Sequence, residues 1–543
     1  MTQDLVDTAD EATPVAPAPW PNRARAAVLR RLDPRNLPDP RNLPQWWRGK
    51  QGQRIHIVAV GLLTLVTTAI YAVYMLMRYY NGNTGLLDLG IYDQAIRSYS
   101  HFTGPHSPVV GLVNAHDLGN LQLSDHFTPL LMVFVPFYWI HDSPTTLLVG
   151  TAVLCAAAIP PIWMFTRRMI GTTAAYLVAV VYAVAWETQA QLWFAFHEVA
   201  FTAPIIAWML ERAQAGKRRQ AAAISLILLL VKDDMGFLVA AFAIYLLFSK
   251  GFRRPQWTRR ERLLGAVGLV VIGFAMVLLV NKVLIPYFGG SPQRNWTYQQ
   301  YGNTPGQMIK YMLEHPLRVF HNSITPAEKT ETLLWLFLPV LFLSLLSPIT
   351  LLGLPLLAER YLSNNTMYWG MDLHYNSFLT VILLLGAVDG AARLSRWVGK
   401  VPKVEAKRAG LIGLAWAIAA TFVSLDSLPR WQMWEMTTSA FWHSTRQPEV
   451  VAERKAAAKV PDGVLVASVG NAGIYLLDRT KVFMWSYPGD RTTVIPPWVV
   501  ANVKHAIYPF RTVQDQIKQV NELKAAGYVT VYQRDGYVVL HHP

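Results

Sequence analysis

The chain has 543 residues, of which 52% are hydrophobic and 15% charged, and its mean hydropathy is +0.24. This composition is too apolar for a soluble multidomain protein and indicates a polytopic membrane protein. The net charge of +15 does not indicate a nucleic-acid partner, because the basic residues lie in short loops between apolar segments. The single cysteine, Cys155, lies in an apolar segment and excludes an intramolecular disulfide.

The first 55 residues form a basic arm rich in Pro and Ala, which we predict to be disordered and cytoplasmic. Residues 56–79 are uncharged before Arg78 and long enough to cross about 30 Å of hydrocarbon as a helix. Ten further spans are predicted at residues 145–165, 172–187, 199–210, 221–231, 236–248, 263–280, 333–346, 348–357, 377–392 and 411–425. The shorter apolar segment 129–140 is predicted to lie at the membrane interface.

With a cytoplasmic amino terminus, four basic loops fall on the cytoplasmic side: residues 167–168, 212–219, 250–262 and 393–408. This agreement predicts a multi-pass protein of the cytoplasmic (inner) membrane. We predict that residues 56–428 form its transmembrane domain, with a first outer loop at 80–143. Because the number of spans is odd, residues 429–543 are predicted to lie on the extracytoplasmic side. Alternating apolar residues at 463–469 and 481–485, a helical pattern at 513–526 and a turn at Asp535-Gly536 predict an extracytoplasmic α/β domain there.

Two carboxylates, Asp88 and Asp93, lie in the first outer loop. They are five residues apart, so on one helix they would diverge by about 140° and could not act as a dyad without a helix start between them. Asp88 could simply be an N-cap, and Asp93 could pair with Arg97 one turn later. Asp88 has no basic neighbour at helical spacing and is the better candidate for a general base.

Two other outer segments carry histidines beside carboxylates. Asp125-His126 precedes the interfacial segment, where Asp125 could be a helix cap and His126 an ordinary hydrogen-bonded residue. His197-Glu198 follows aromatic residues that could form an interfacial belt, and this pair could act as a base or as metal ligands.

Lys232-Asp233-Asp234 follows an apolar segment too short to bring the triad clear of the hydrocarbon. Ionisable groups at this depth are costly unless they pair or face a wet cavity, so they are candidates for function. An ion pair between Lys232 and Asp233 that fixes two helices is the structural alternative. Lys232 could equally bind a phosphate as a point charge.

These clusters, together with a weaker one at 372–375, fall on one side of the predicted topology and suggest a single external site. The sequence has no Walker loop, G-x-G-x-x-G, Cys-x-x-Cys or H-E-x-x-H motif, so nucleotide-driven transport and zincin proteolysis lose support.

Five motifs, in order, resemble bacterial membrane proteins grouped as domain of unknown function 2079. They are Leu87-Asp88-Leu89-Gly90-Ile91-Tyr92-Asp93-Gln94, Asp125-His126-Phe127-Thr128-Pro129, Phe196-His197-Glu198, Val231-Lys232-Asp233-Asp234 and His374-Tyr375. The acidic Glu-Asp usual after the lysine is Asp233-Asp234 here. The family in turn looks like a branch of the GT-C glycosyltransferases, which use a polyprenyl-phosphate sugar donor and a catalytic acidic residue in the first outer loop.

The resemblance implies an α-helical GT-C-like membrane domain with about eleven transmembrane helices, and an inverting transfer of one sugar to a glycan, lipid or protein acceptor at the outer membrane face. We therefore assign expected roles. The catalytic candidates are Asp88 and Asp93; the phosphate-binding candidates are Lys232, His374 and Tyr375; the substrate-binding candidates are Gln94, His126, Asp233 and Asp234; and the metal candidates, for Mg, Mn or Ca, are His197 and Glu198. The composition is typical of a high-GC actinobacterium, in which arabinosyl or mannosyl donors are natural expectations.

Two other classes of protein remain open at the level of sequence. Intramembrane charges such as Lys232 and Asp233 would also suit a transporter, although the sequence has no internal repeat relating two halves. A noncatalytic envelope scaffold that uses the carboxyl-terminal domain is the third class.

Overall fold

The computed structural model describes residues 49–110, 119, 121–248, 258–291, 296–401, 410–485 and 494–543. The predicted basic arm lies outside the described residues except for residues 49–55, which belong to the first helix. Parts of the predicted basic loops at 250–262 and 393–408 also lie outside them.

The described residues are largely helical, as the composition predicts. The helices are Gly49–Tyr80, Leu86–Ser100, Val135–Tyr138, Pro144–Ala156, Ile159–Ile170, Thr172–Ala183, Trp186–Phe194, Thr202–Gln214, Arg218–Ile227, Met235–Phe248, Arg259–Leu279, Ile285–Tyr287, Pro305–Glu314, Pro316–Ile324, Ala327–Phe337, Leu354–Leu362, Ser377–Val398, Ile412–Asp426, Ser439–His443, Pro448–Ala457 and Val513–Ala525. Short 3₁₀ turns connect several of them, including Pro129–Phe134, Glu198–Phe201, Leu228–Leu230, Leu343–Leu346, Pro348–Gly353 and His374–Asn376.

Five helical stretches are long and apolar enough to cross a membrane within the described ranges: Gln51–Tyr80, Pro144–Ile170, Arg259–Tyr287, His374–Val398 and Ile412–Arg430. The other six predicted spans coincide with shorter elements, such as Thr172–Ala183 and Met235–Phe248. The predicted total of eleven is therefore not confirmed, because hydropathy measures apolar length and does not detect where the backbone breaks an apolar segment into separate helices.

The helix Ser377–Val398 lies at the centre of the helical domain. Sixteen consecutive residues, from Ser377 to Ala392, are buried in it. Apolar residues on Gly49–Tyr80 and Arg259–Leu279, among them Leu65 and Val271, are instead exposed on the surface of the protein. A helix that is apolar all round and surrounded by protein is a core helix, whereas exposed apolar faces on long helices are those that lipid covers.

The helices Met235–Phe248 and Arg259–Leu279 meet at two glycines. A Cβ atom added to Gly273 would lie 2.5 Å from the carbonyl oxygen of Gly236, whereas one added to Gly268 meets nothing within 4 Å. Small residues allow membrane helices to approach this closely, because no side chain separates the two backbones.

A five-stranded sheet forms the carboxyl-terminal region, in the order β2-β1-β3-β5-β4. The strands are β1 Leu465–Ser468, β2 Lys481–Met484, β3 Trp498–Asn502, β4 Val529–Arg534 and β5 Tyr537–His541. β1 pairs in parallel with β2 and β3, whereas β5 is antiparallel to both β3 and β4. The predicted hairpin at Asp535-Gly536 is confirmed, and both turn residues have the positive φ that a tight hairpin turn requires.

This carboxyl-terminal region is attached to the helix Leu86–Ser100 by side-chain hydrogen bonds. Gln94 Nε2 donates to the carbonyl oxygen of Val482 in β2 at 2.6 Å, and Arg97 Nη1 donates to that of Leu477 at 2.6 Å. Just before this helix, Asn81 Nδ2 donates at 2.7 Å to the carbonyl oxygen of Phe441, which lies in the helix Ser439–His443. The sheet and this helix are therefore packed as one structure.

The close glycine contact predicts a position-specific effect of a single methyl group. We expect Gly273→Ala to force the two helices apart and to destabilise the protein by about 1–3 kcal/mol, which is the usual cost of overpacking. Gly268→Ala in the same helix is the matched control and should leave stability unchanged or slightly raised. Thermal denaturation of the two detergent-purified variants measures the difference in stability. Equal unfolding midpoints for Gly273→Ala and Gly268→Ala would contradict the importance of the contact.

Candidate functional site

Five residues separate the first long helix from the helix Leu86–Ser100, whose first turn borders a cavity of about 1000 Å³. The cavity wall combines apolar and polar groups from distant parts of the chain. Its lining residues are Arg78, Asn83, Gly85, Leu87, Asp88, Trp193, Phe194, Glu328, Glu331, Thr332, Thr366, Met367, Gly370, Met371, Asp372, Leu373, Tyr375, Asn471 and Tyr508. A space of this size, with convergent polar groups, is typical of a small-molecule site.

Asp88 lies on this cavity, in the first turn of its helix. Within the described residues its carboxylate accepts no hydrogen bond, so both oxygens remain available to a ligand. Burial raises the pKa of Asp88, as do Glu198 and Asp125, while His197 and His126 act in the opposite direction. A carboxylate whose pKa is raised, and which faces a cavity, is suited to accept a proton.

Asp93 has a different environment, although it lies on the same helix. Its side chain is completely buried, forms an ion pair with Arg97, and accepts a hydrogen bond from the Tyr138 hydroxyl at 2.8 Å. Gln94 is similarly engaged, since its Oε1 accepts hydrogen bonds from Ser107 and from the Val109 amide. These partners give Asp93 and Gln94 structural contacts, and neither residue lines the cavity in the described part of the chain.

Glu198 is the centre of a buried polar cluster next to the cavity. One carboxylate oxygen accepts a hydrogen bond from the Tyr92 hydroxyl and lies 2.7 Å from His197 Nδ1. The other lies 3.6 Å from Lys232 Nζ. Burial alone would raise the pKa of Glu198, but His197 and Lys232 outweigh it and hold the pKa well below its ordinary value.

The Lys232-Asp233-Asp234 triad reaches this cluster from the turn before the helix Met235–Phe248. Burial lowers the pKa of Lys232, but Asp234, Glu198 and Asp233 reverse the effect and keep the lysine charged. Burial raises the pKa of Asp234 to about 6. The structural alternative, an ion pair between Lys232 and Asp233, is not formed in the described chain. Lys232 pairs instead with Glu198, and Asp233 pairs with His126.

His126 Nδ1 lies 2.9 Å from Asp233 Oδ1. Burial would lower the pKa of His126, but Asp125 and Asp233 raise it to about 9, so the ring is positively charged at neutral pH. The side chains of His126, Asp233 and Lys232 remain 23%, 15% and 13% exposed, respectively. They are partly exposed but lie beside the large cavity, because none of the three is among its lining residues in the described part of the chain.

His374 and Tyr375 complete the site from the start of the central helix. The His374 ring stacks on that of His197, with 3.6 Å between the ring centroids, and lies 4.3 Å from the Phe194 ring. His374 is only 1% exposed, and neither ring nitrogen has a hydrogen-bond partner among the described residues. Buried polar groups are almost always hydrogen-bonded, so an unpaired imidazole beside a cavity indicates a place for a ligand atom.

The predicted metal ligands, His197 and Glu198, are close together but oriented towards each other and Lys232. In the described ranges no group of three His, Cys, Asp or Glu side chains has the geometry to hold a metal ion. The lysine ammonium beside Glu198 would also repel a cation. These residues do not fit a metal site as arranged.

The structure thus brings together Asp88, His126, His197, Glu198, Lys232 and His374, which the sequence placed only on the same side of the membrane.

The structure also adds residues that the sequence did not predict for the site. Arg78 lies in the last turn of the first helix and on the cavity, with its guanidinium 4.9 Å from the centroid of the Trp193 ring. Asn471 and Tyr508 reach the cavity from the carboxyl-terminal region. Arg78 could have been recognised as a charge at the end of an apolar span, but Asn471 and Tyr508 have no sequence signal.

The fold and the site together define a membrane protein with a polar cavity beside a buried cluster of charged groups. The chain belongs to the family described as predicted membrane proteins DUF2079, whose model matches residues 78–539. No curated protein matches the chain.

Among solved structures, the chain is similar to ArnT from Cupriavidus metallidurans bound to undecaprenyl phosphate. The identity is 12%, the TM-score is 0.49, and the alignment covers 91% of this chain and 99% of that chain. It is also similar to the archaeal oligosaccharyltransferase AglB from Archaeoglobus fulgidus in complex with an inhibitory peptide and a dolichol-phosphate. There the identity is 13%, the TM-score is 0.38, and the alignment covers 88% of this chain and 74% of that chain.

The His126–Asp233 pair predicts a pH-dependent stability. The pKa of His126 is about 9 in the folded protein, and its ordinary value is about 6.5. The contribution of the pair to the free energy of unfolding is therefore fully present below pH 6.5 and is lost as the pH rises through 9. We expect His126→Gln to remove this part of the decline in thermal stability between pH 6 and 10. His443→Gln, at an exposed position, is the control and should follow the wild-type curve. Parallel curves for the wild type and His126→Gln would contradict the prediction.

Proposed function

We propose that this protein is an inverting glycosyltransferase of GT-C type, which moves one sugar from a polyprenyl monophosphate to an acceptor hydroxyl at the outer face of the cytoplasmic membrane. The observation that carries the proposal is the Asp88 carboxylate on the large cavity, beside a cluster containing Lys232 and the unpaired imidazole of His374. The proposed donor is of the same lipid class as the ligands named with ArnT and AglB.

In the proposed reaction the acceptor oxygen attacks the anomeric carbon of the donor sugar from the face opposite the phosphate. The bond between that carbon and the phosphate oxygen breaks, and its electron pair remains on the departing polyprenyl phosphate. Asp88 accepts the proton of the acceptor hydroxyl as the new glycosidic bond forms. A positioned base of this kind contributes about 10²–10⁴-fold to the rate.

The departing phosphate gains negative charge, which requires nearby donors. Lys232 supplies a positive charge, and His374 supplies a ring nitrogen that has no partner within the described chain. Tyr375 borders the same cavity and adds a hydroxyl. Preorganised donors in a site shielded from water stabilise a developing charge strongly, because they need no reorientation during the reaction.

The cavity also has apolar walls, which suit a lipid-linked substrate. Met367, Met371 and Leu373 line it together with Trp193 and Phe194. Aromatic rings commonly stack on the apolar faces of bound ligands. The donor sugar would lie over the aromatic side and the first isoprene units over the aliphatic side.

Replacement of the base is the principal test. We expect Asp88→Asn to reduce transfer by about 10²–10⁴-fold while leaving donor binding in place, because the amide cannot accept the proton. Asp372→Asn is the matched control, since Asp372 is a second, exposed carboxylate on the same cavity. The assay uses purified protein with labelled polyprenyl-phosphate sugars, with arabinosyl and mannosyl donors tested first. Transfer by Asp88→Asn at the wild-type rate would remove Asp88 from this role.

The class of protein is tested by the same preparation. Reconstituted wild-type protein should transfer or hydrolyse a polyprenyl-phosphate sugar without net movement of the donor or of free sugar across the liposome membrane. Flux of either compound without any chemical turnover would instead identify a transporter and overturn the proposal.

A separate prediction concerns the phosphate. We expect His374→Ala to raise KM for the donor about tenfold or more, as the loss of a hydrogen bond to a charged group does, with a smaller change in kcat. His374→Asn should recover part of the affinity, because its side chain still offers a donor. An unchanged KM in a variant that folds normally would show that the imidazole does not contact the donor.

A further inference from the structure

A second cavity, of about 460 Å³, lies at the other end of the central helix Ser377–Val398. Asp389, Arg393 and Arg396 line it from the last turns of that helix. Ser377 and Arg396 are 19 residues apart, which corresponds to about 28 Å along an α-helix. This distance is close to the hydrocarbon thickness of about 30 Å, so the two cavities lie near opposite membrane surfaces.

One side of this second cavity is apolar and open to the surroundings of the protein. Ile244, Phe248 and Leu351 line it and are 54%, 76% and 58% exposed, respectively. Large apolar side chains with this exposure on a membrane protein are those that contact lipid chains. A molecule in the cavity can therefore have an apolar part that continues along the membrane-facing surface.

The other side of the cavity carries positive charge. Arg393 Nε donates to Asp389 Oδ2 at 2.7 Å, so these two charges largely compensate each other. Arg396 is exposed, and its only hydrogen bond in the described chain runs from Nε to the carbonyl oxygen of Ala392 at 3.1 Å. Its two terminal nitrogens therefore remain available to an anion.

Further arginines surround this end of the helices. Arg168 Nε donates at 2.6 Å to the side-chain oxygen of Gln214, which also lines the cavity, and the charge of Arg168 is compensated by an ion pair with Glu211. Arg218 lies near Arg262 and near Tyr245, which lines the cavity. Arginine presents a planar fork of donors that matches a phosphate, and basic pockets between membrane helices bind anionic lipid headgroups.

We propose that this second cavity binds one anionic phospholipid, with its phosphate at Arg396 and Arg393 and an acyl chain along Ile244, Phe248 and Leu351. The ligand class follows from the combination of the available terminal nitrogens of Arg396 with an open apolar wall. This lipid site is separate from the sugar-transfer site and does not depend on the function proposed above.

The test is native mass spectrometry of the purified protein after incubation with phosphatidylglycerol or with phosphatidylcholine of the same acyl chains. The wild type should retain one phosphatidylglycerol and little phosphatidylcholine. Arg396→Gln should weaken the retention of phosphatidylglycerol about fivefold, which is the effect of one arginine near a lipid headgroup. The control is Lys518→Gln/Lys524→Gln, which removes two positive charges from the helix Val513–Ala525, far along the chain, and should bind like the wild type.

A second variant tests the apolar part of the site. Ala241→Phe places a larger side chain on the cavity wall without changing the charge, and it should also reduce retention of phosphatidylglycerol. The proposal is overturned if Arg396→Gln and Ala241→Phe, both folded by size-exclusion chromatography, retain the lipid like the wild type. Equal retention of the two phospholipids, or displacement by glycerol phosphate as effective as by intact lipid, would also overturn it.

Discussion

The buried carboxylate of Glu198 is the constraint around which this protein is arranged. An uncompensated charge in such surroundings costs several kcal/mol, so the fold must bring partners to it. The Tyr92 hydroxyl comes from the helix after the first span, Lys232 comes from the turn before Met235–Phe248, and His197 is its neighbour in sequence. Compensation of this one charge thereby brings together three segments of the chain. Their contacts form the polar end of the helical domain.

The two carboxylates on the helix Leu86–Ser100 have different environments because they point in different directions from it. Asp93 points into the protein, where Arg97 and Tyr138 neutralise and orient it. Asp88 lies more than one turn earlier and faces the cavity without a hydrogen bond from the rest of the described chain. Asp93 and Arg97 hold the helix in place, and the helix in turn holds Asp88 at the cavity wall.

Much of this arrangement was predictable from local patterns, and the remainder depends on distant contacts. The first span, the strands at 463–469 and 481–485, the helix at 513–526 and the hairpin at Asp535-Gly536 were predicted correctly, because periodicity and turn residues act over a few positions. The number of spans was not predictable, since apolar segments do not reveal where short helices and 3₁₀ turns divide them. The Asp93–Arg97 pair could be anticipated from its spacing, but the pairing of His126 with Asp233, 107 residues away, could not.

The attachment of the sheet to the helix Leu86–Ser100 has a consequence for how the protein is made. Gln94 and Arg97 bind the backbone of Val482 and Leu477, and Asn471 and Tyr508 form part of the cavity wall. The five long apolar helices of the described chain all precede residue 431, so each can be inserted into the bilayer before residues 471–508 leave the ribosome. A chain that ended before Asn471 would therefore contain these helices but would lack part of the cavity wall and the backbone partners of Gln94 and Arg97.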